Sequence, residues 1–144
     1  MFDVPYNGDP DAVQPVPGVA EALQRLREAA IPLAVVSNQS GVARGMITLE
    51  QVEAVNRRID QLLGPFDAWL YCPHGPDDGC ACRKPQPKLI LDAARLMQVD
   101  PACSVVIGDK ASDVEAARNA GAQAIFIDDA RSVIGAIEAV LEKI

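Results

Sequence analysis

The chain has 144 residues, of which 49% are hydrophobic and 23% charged, and its formal net charge is −7. This composition suits one globular domain over residues 1–144, and no apolar run approaches the roughly 20 residues of a transmembrane helix. The acidic balance repels nucleic acid and anionic membranes, so we expect neither as a partner. A small anionic substrate is compatible with this charge if cations cluster locally.

Apolar spacing predicts alternating helices and strands after a loop-like, proline-interrupted start over residues 1–17. The predicted helices cover residues 19–26, 49–63, 90–97, 113–120 and 133–144, and the predicted strands residues 33–36, 68–71, 104–107 and 124–127. A capping box at Thr48 and Gln51 is predicted to open the second helix. Alternating strands and helices imply an α/β fold with a parallel sheet covered by helices on both faces.

Polar residues follow the strands directly, at Ser37, Cys72, Asp109 and Asp128. In parallel α/β sheets, ligands bind beyond the carboxyl ends of the strands. The sequence therefore predicts that these features share one edge of the sheet.

A cluster of soft metal ligands lies in residues 72–82. Cys72, His74, Cys80 and Cys82 include the only histidine and three of the four cysteines. Three thiolates and one imidazole form a closed tetrahedral set that suits a structural Zn²⁺. Disulfides or a chance group of buried thiols are the alternatives. Free thiols beside a zinc loop indicate a reducing cytoplasm, and Cys103, outside the cluster, is expected to be a small buried thiol.

Two segments offer groups for phosphate. Residues 37–41 leave a strand with a hydroxyl, an amide and glycine-supported N–H groups, although an ordinary polar turn explains them about equally well. Arg83 and Lys84 directly follow the last cluster cysteine, and such cations stabilise phosphoryl charge. The alternatives are a pair of surface cations here and, for nearby Arg44, a solvated side chain.

The segment of residues 108–113 carries a candidate Mg²⁺ ligand. Asp109 ends a buried strand, and Mg²⁺ prefers carboxylates combined with substrate oxygens. Asp113 is either a partner near that ion or a helix N-cap, and the two interpretations have equal weight. Asp128 and Asp129 are interpreted as a turn or helix-start signal.

Together these motifs resemble the haloacid dehalogenase superfamily of phosphatases, and within it the heptose 1,7-bisphosphate phosphatase and histidinol-phosphatase branch. The resembling segments are residues 16–18, 37–45, 72–74, 80–85 and 108–113. The resemblance implies a Rossmann-like sheet, a Mg²⁺-dependent phosphatase acting on a phosphorylated sugar or similar phosphomonoester, and a monomer with a structural Zn²⁺.

The resemblance also implies roles for individual residues. Ser37 and Lys84 match the catalytic positions that stabilise the phosphoryl group. Asp109 matches the Mg²⁺ ligand, and the Cys₃His set matches the zinc ligands. Substrate contacts are implied for Ser37, Asn38, Gln39, Ser40, Arg83, Lys84 and Lys110.

The sequence departs from the family at its start. The family opens with an apolar strand ending in Asp-x-Asp-Gly-Thr, whose first Asp attacks phosphorus and whose second is the general acid/base. Residues 1–10 instead resemble the segment after that motif. Asp9-Pro10-Asp11 spells Asp-x-Asp, but without a preceding apolar strand or a following Gly-Thr, so turn chemistry explains it better.

We therefore expect a fold without the family's first strand, and a chain with little or no phosphatase activity. In the family that strand lies between the strands predicted at residues 33–36 and 104–107. Its absence leaves backbone groups that need partners. Either the two strands pair directly, or residues from Met1 onward or another chain fill the position, and self-association is plausible.

Three functions are compatible with the sequence. The first is a Mg²⁺-dependent sugar-phosphate phosphatase acting on D-glycero-D-manno-heptose 1,7-bisphosphate, with histidinol phosphate as the alternative substrate. The second is a non-catalytic phosphosugar-binding remnant of the family. The third is a zinc-bearing interaction module.

Overall fold

The computed structural model describes residues 9–12, 15–75, 77–129 and 132–143. Within these ranges, helices and strands alternate as predicted. The strands are β1 (Ala34–Asn38), β2 (Ala68–Cys72), β3 (Val105–Gly108) and β4 (Gln123–Phe126). The helices are α1 (Val19–Glu28), α2 (Ser40–Ala43), α3 (Leu49–Leu63), α4 (Lys88–Met97), α5 (Ala111–Ala120) and α6 (Val133–Glu142).

The strands form two parallel pairs. β1 lies beside β2, from Ala34 opposite Ala68 to Asn38 opposite Cys72. β3 lies beside β4, and within the described ranges β1 and β3 are not paired with each other. The alternative in which these two strands pair directly is therefore wrong. Residues 1–8 lie outside the described ranges, so their predicted role as a filler of this position stays a prediction.

Two apolar clusters show how the strand pairs are arranged. The larger contains buried residues of α1, α3 and α6, and both Trp69 of β2 and Ile107 of β3 pack against it. The smaller contains Ile90 of α4 and two alanines of α5, and both Val36 of β1 and Val106 of β3 pack against it. Since each cluster takes side chains from both pairs, the pairs lie side by side in one layer with helices on both faces.

The second long helix begins as predicted. The Thr48 hydroxyl accepts a hydrogen bond from the Gln51 N–H at 3.1 Å, and the Gln51 side chain accepts one from the Thr48 N–H at 2.8 Å. Gly64 follows its last residue, and the Gly64 N–H bonds the carbonyl of Asp60 at 2.8 Å. No helix in the described part of the chain is long and apolar enough to cross a bilayer.

Three local predictions need correction. Residues 37–45 lie outside the predicted strands and helices, but β1 continues to Asn38 and Ser40 opens the short α2. The helix predicted from Asp113 begins at Ala111, because the Asp113 carboxylate caps it from within its first turn. Cys103 is exposed rather than buried, since it ends a 3₁₀ turn before β3 instead of entering the apolar strand.

Candidate phosphate and metal site

The end of β1 forms one wall of the candidate site. Ser37 and Asn38 are its last residues, Gln39 follows, and Ser40 begins α2; all four are half-buried. The Gln39 N–H donates to the Cys72 carbonyl at 2.7 Å, and the Gln39 side-chain amide donates to the Ser37 hydroxyl at 3.3 Å. The polar residues after β1 are thereby tied to the end of β2, as the shared-edge prediction requires.

Lys84 is bound to this wall by its backbone, and its side chain reaches α5. Its N–H donates to Asn38 Oδ1 at 3.1 Å, and Asn38 Nδ2 donates to its carbonyl at 3.5 Å. Its ammonium pairs with the Asp113 carboxylate, and the two side chains are 11% and 10% exposed. Because the cation is largely removed from water, its charge is screened much less than that of a surface lysine.

Asp113 connects Lys84 to the end of β3. It is the one charged residue in the buried part of the described chain, and its second carboxylate oxygen accepts the Lys110 N–H at 3.2 Å. A Cβ on Gly108 would lie 2.6 Å from Asp113 Cγ, so only glycine leaves room for this carboxylate. The N-cap of α5 is Lys110, so the N-cap interpretation of Asp113 is wrong; Asp113 lies in the first turn and its carboxylate accepts the N–H of the N-cap residue. Its role near the ion stays a prediction.

Asp109 and Lys110 lie directly after β3 and are both exposed. The Asp109 carboxylate is a hard oxygen ligand of the kind that Mg²⁺ accepts. In the described ranges, the only group of three or more Cys, His, Asp or Glu ligand atoms close together is the cysteine-histidine cluster. Asp109 therefore offers Mg²⁺ a single carboxylate, and water, phosphate oxygens or groups outside those ranges would supply the other ligands.

The four predicted zinc ligands converge at the end of β2. Their ligand atoms all lie within 4.8 Å of one another. The Cys72 Sγ is 3.0 Å from that of Cys82, 3.5 Å from that of Cys80 and 3.4 Å from His74 Nδ1. A tetrahedron with Zn–S bonds of about 2.3 Å has edges of about 3.8 Å, so small outward shifts would accommodate an ion. All four cysteines are free, and the disulfide alternative is wrong for this structure.

Burial and hydrogen bonds shift the pKa values of two thiols of the cluster in opposite directions. Burial, followed by the hydrogen bond with the Cys82 thiol, raises the pKa of Cys72 to about 12. Burial also acts to raise the pKa of Cys80, but hydrogen bonds with the Cys72 thiol and the Arg83 backbone outweigh it and lower that pKa to about 7. Cys80 therefore ionises before Cys72, and a cation bound among them would favour the ionised form of both.

Two hydrogen bonds order the loop of residues 72–82 and connect it to Arg83, which follows it. The Asp78 carboxylate accepts the Gly75 N–H at 2.7 Å, and the Arg83 guanidinium donates to the His74 carbonyl at 3.4 Å. A cavity of about 290 Å³ opens beside Arg83 and Lys84. It is lined by Gly75, Gly79, Cys80, Arg83, Lys84, Pro85 and Gln86. A larger cavity of about 430 Å³ between α3 and β2 contains none of the predicted site residues.

The remaining candidates make local turn contacts or are exposed. The Asp9 carboxylate accepts the Asp11 N–H at 2.9 Å at a 3₁₀ turn, as expected from turn chemistry. Asp128 and Asp129 accept hydrogen bonds from Ser132 at 3.3 and 3.2 Å, which confirms the predicted turn. Arg44 is exposed after α2.

One site contact was missed at the sequence level. Asn119 Nδ2, near the end of α5, donates to the Pro85 carbonyl at 3.0 Å. No local pattern could have indicated it, because the two residues are 34 positions apart and a single Asn near a helix end is common.

These features define a hydrolase class. The haloacid dehalogenase-like hydrolase family matches residues 5–121, and the chain belongs to that family. Within the family it groups with the heptose 1,7-bisphosphate phosphatases, the branch that its motifs resemble.

Two relatives and one solved structure illustrate the similarity. The D-glycero-β-D-manno-heptose-1,7-bisphosphate 7-phosphatase of Pseudomonas aeruginosa is 39% identical over 123 residues, covering 83% of this chain and 69% of the relative. The enzyme of the same name from Bordetella bronchiseptica is 42% identical over 116 residues, covering 78% and 65%. The chain thus spans about two thirds of these relatives.

A crystal structure of D,D-heptose 1,7-bisphosphate phosphatase from B. bronchiseptica, complexed with magnesium and phosphate, superposes with a TM-score of 0.85. That comparison covers 99% of this chain and 92% of the other at 32% identity. The α/β fold predicted from the sequence is confirmed.

Proposed function

We propose that this chain binds the phosphate of a phosphorylated sugar and serves as a Mg²⁺-dependent phosphatase, with D-glycero-D-manno-heptose 1,7-bisphosphate as the substrate. The observation that carries the proposal is Lys84, a largely buried cation held between Asn38 and Asp113 where β1 and β3 end. Relatives that are 39% and 42% identical to this chain are named for this activity. Histidinol phosphate stays the alternative substrate, because no contact among the described residues distinguishes the two.

The proposed roles follow from position and chemistry. The Lys84 ammonium and the Ser37 hydroxyl stabilise the charge on the phosphate oxygens, and Arg83 beside the 290 Å³ cavity grips a second oxygen with its planar N–H groups. Substrate contacts are also proposed for Lys110, exposed after β3, and for Gln39 and Ser40 at the start of α2. A preorganised cation next to phosphate is worth more in a water-poor site than on the surface.

Asp109 is proposed as the ligand of Mg²⁺. Its exposed carboxylate follows β3 directly, and the comparison enzyme was crystallised with magnesium and phosphate. Bound Mg²⁺ would neutralise charge on the phosphate group. The chain's own contribution is to hold that carboxylate near the cation of Lys84, through the link from Asp113 to the end of β3.

A structural Zn²⁺ is proposed at Cys72, His74, Cys80 and Cys82. Its four donor atoms, three sulfurs and one nitrogen, are of the kind that zinc prefers. They lie close enough together for all of them to bond one ion. Its function is to fix residues 72–82, the zinc loop of a single domain, so that Arg83 and Lys84 leave it in a defined direction. Reduced thiols agree with a cytoplasmic location, which we include in the proposal.

The phosphatase proposal does not yet assign the group that attacks phosphorus. In the described ranges the carboxylates at the site are Asp109, which is assigned to metal, and Asp113, which is occupied by Lys84 and Lys110. Asp9 and Asp11 belong to a 3₁₀ turn that packs against α3 rather than to the end of a strand. A non-catalytic phosphosugar-binding protein is therefore the second candidate. Self-association through the edges of β1 and β3 that have no described partner also stays a proposal.

Release of inorganic phosphate tests the proposal. The purified protein is incubated with Mg²⁺ and either heptose 1,7-bisphosphate or histidinol phosphate, and binding of each compound is measured in parallel by calorimetry. Lys84→Met and Ser37→Ala should weaken binding strongly, whereas Lys88→Met, which removes a 51% exposed lysine on α4, should not. Binding without release supports the non-catalytic alternative. Absence of both leaves the zinc-bearing interaction module.

A further inference from the structure

The turn that carries Lys84 is held by side-chain amides. Within it, the Gln86 N–H donates to the Arg83 carbonyl at 2.8 Å, which closes a four-residue turn. The N–H and carbonyl of Lys84 are both bonded by Asn38, and the carbonyl of Pro85 is bonded by Asn119 at 3.0 Å. Two asparagines, one from β1 and one from α5, thus satisfy three backbone groups of the turn.

Helix α5 supports Lys84 at two points. Asp113, in its first turn, accepts the Lys84 ammonium, and Asn119, in its last turn, donates to the carbonyl of Pro85, the residue after Lys84. Six residues of helix span about 9 Å, somewhat more than an extended lysine side chain. The Lys84 side chain therefore runs along α5 toward its N-terminus, with its root and its tip fixed to the same rigid element.

We propose that Asn119 is a positioning residue for Lys84, and that Asn38 acts with it in the same way. This inference rests on the proposed function only in naming phosphate as the ligand that Lys84 meets. It differs from the substrate contact expected for Asn38, because both polar atoms of that amide already bond the Lys84 backbone. The Asn119 amide bonds the Pro85 carbonyl and acts through the placement of Lys84.

A direct test of the geometry needs no phosphate. Amide hydrogen exchange is measured at Lys84 and Gln86 in the wild-type protein and in Asn119→Ala. Loss of the Pro85 bond should accelerate exchange at both amides by about threefold to tenfold, the scale of one hydrogen bond. The control is Asn56→Ala, which removes an amide from α3 beside the larger cavity and should leave these two rates unchanged. Unchanged rates in Asn119→Ala would overturn the inference.

A binding cycle separates positioning from general structural support. Affinity for inorganic phosphate with Mg²⁺ should fall about threefold to tenfold in Asn119→Ala and in Asn38→Ala. In a Lys84→Met background neither substitution should change the residual affinity, since both act through the ammonium. An equal loss in both backgrounds would overturn the inference and, for Asn38, indicate direct contact. If the wild-type protein binds no phosphate, the proposed function fails, and the exchange rates still decide the inference.

Discussion

Lys84 and Asp113 form an ion pair whose side chains are only 11% and 10% exposed, and the pair joins the turn after the metal-ligand cluster to the first turn of α5. Charges at this depth have lost most of their hydration, so each depends on the other for compensation. The pair is therefore both a structural bond between distant segments and the means by which a cation is kept at the strand ends.

Removing one partner of this pair should cost much more than removing a surface charge. Asp113→Asn should lower the free energy of unfolding by about 3 kcal/mol, because it leaves the Lys84 ammonium without a counter-charge. Asp92→Asn, which breaks the ion pairs of α4 with the exposed cations Lys88 and Arg95, should cost less than about 1 kcal/mol. Urea denaturation of both variants measures the difference. Similar losses for the two would show that the Lys84–Asp113 pair is hydrated.

The effect of Asp92→Asn, the control variant, on the free energy of unfolding should depend on pH. The hydrogen bond from Lys88 holds the pKa of Asp92 below its usual range. A carboxyl with a lowered folded-state pKa stabilises the fold above its unfolded pKa, and this contribution disappears as the pH falls through the folded value. The small effect of Asp92→Asn should therefore be measurable at neutral pH and vanish in acid.

Gly108 is required by packing rather than by backbone conformation. A Cβ there would lie 2.5 Å from an Asp113 carboxylate oxygen, so Gly108→Ala must displace Asp113. We expect a loss of about 1–3 kcal/mol in unfolding free energy and weaker phosphate binding. Gly135→Ala is the matched control, because nothing lies within 4 Å of its Cβ position in α6. That change should stabilise the helix by about 0.5–1 kcal/mol. Equal stability changes would contradict the steric argument.

The sequence predicted the elements well where a local signal existed. The capping box at Thr48 and the apolar spacing of α3 are contained within a few neighbouring residues, and both were confirmed. The metal-ligand cluster could also be predicted from the sequence, because its ligands lie within 11 consecutive positions.

What the sequence could not indicate depends on contacts between distant segments. The bonds from Asn38 to Lys84 and from Asn119 to Pro85 span 46 and 34 positions and leave no periodic pattern. The exposure of Cys103 was missed for a related reason, since an apolar run following a cysteine does not reveal where the strand begins. The pairing of strands into two separate pairs likewise follows from tertiary arrangement.

Zinc should co-purify at about one ion per chain. Cys82→Ser should reduce this content sharply and expose the protein to proteolysis between residues 72 and 84, whereas Cys103→Ser should retain full metal. Metal analysis after dialysis measures the stoichiometry. Full zinc content in Cys82→Ser, or none in the wild-type protein, would exclude the assigned ligands.

The affinity of that site for zinc should rise with pH. Ligand thiols must lose their protons, and burial holds the pKa of Cys72 at about 12 in the metal-free cluster. Cys80, with its pKa lowered to about 7, is ionised at pH 8 but largely protonated at pH 6. Zinc should therefore release fewer protons at pH 8 than at pH 6, which calorimetry in buffers of different ionisation enthalpy measures. The same proton count at both values would show that Cys80 does not ionise in this range.

The strengthening of phosphate binding by Mg²⁺ should require Asp109. Its carboxylate is exposed directly after β3, while Asp113 is occupied by Lys84, so Asp109 is the carboxylate at this strand end that is open to a cation. In Asp109→Asn, added Mg²⁺ should no longer strengthen phosphate binding, although the weak binding through Lys84 should persist. Asp128→Asn is the control, since that residue follows β4 and bonds Ser132 instead. Calorimetric titration with phosphate, with and without Mg²⁺, measures both variants, and unfolding curves check that each is folded. A Mg²⁺ effect of wild-type size in Asp109→Asn would place the metal elsewhere on the chain.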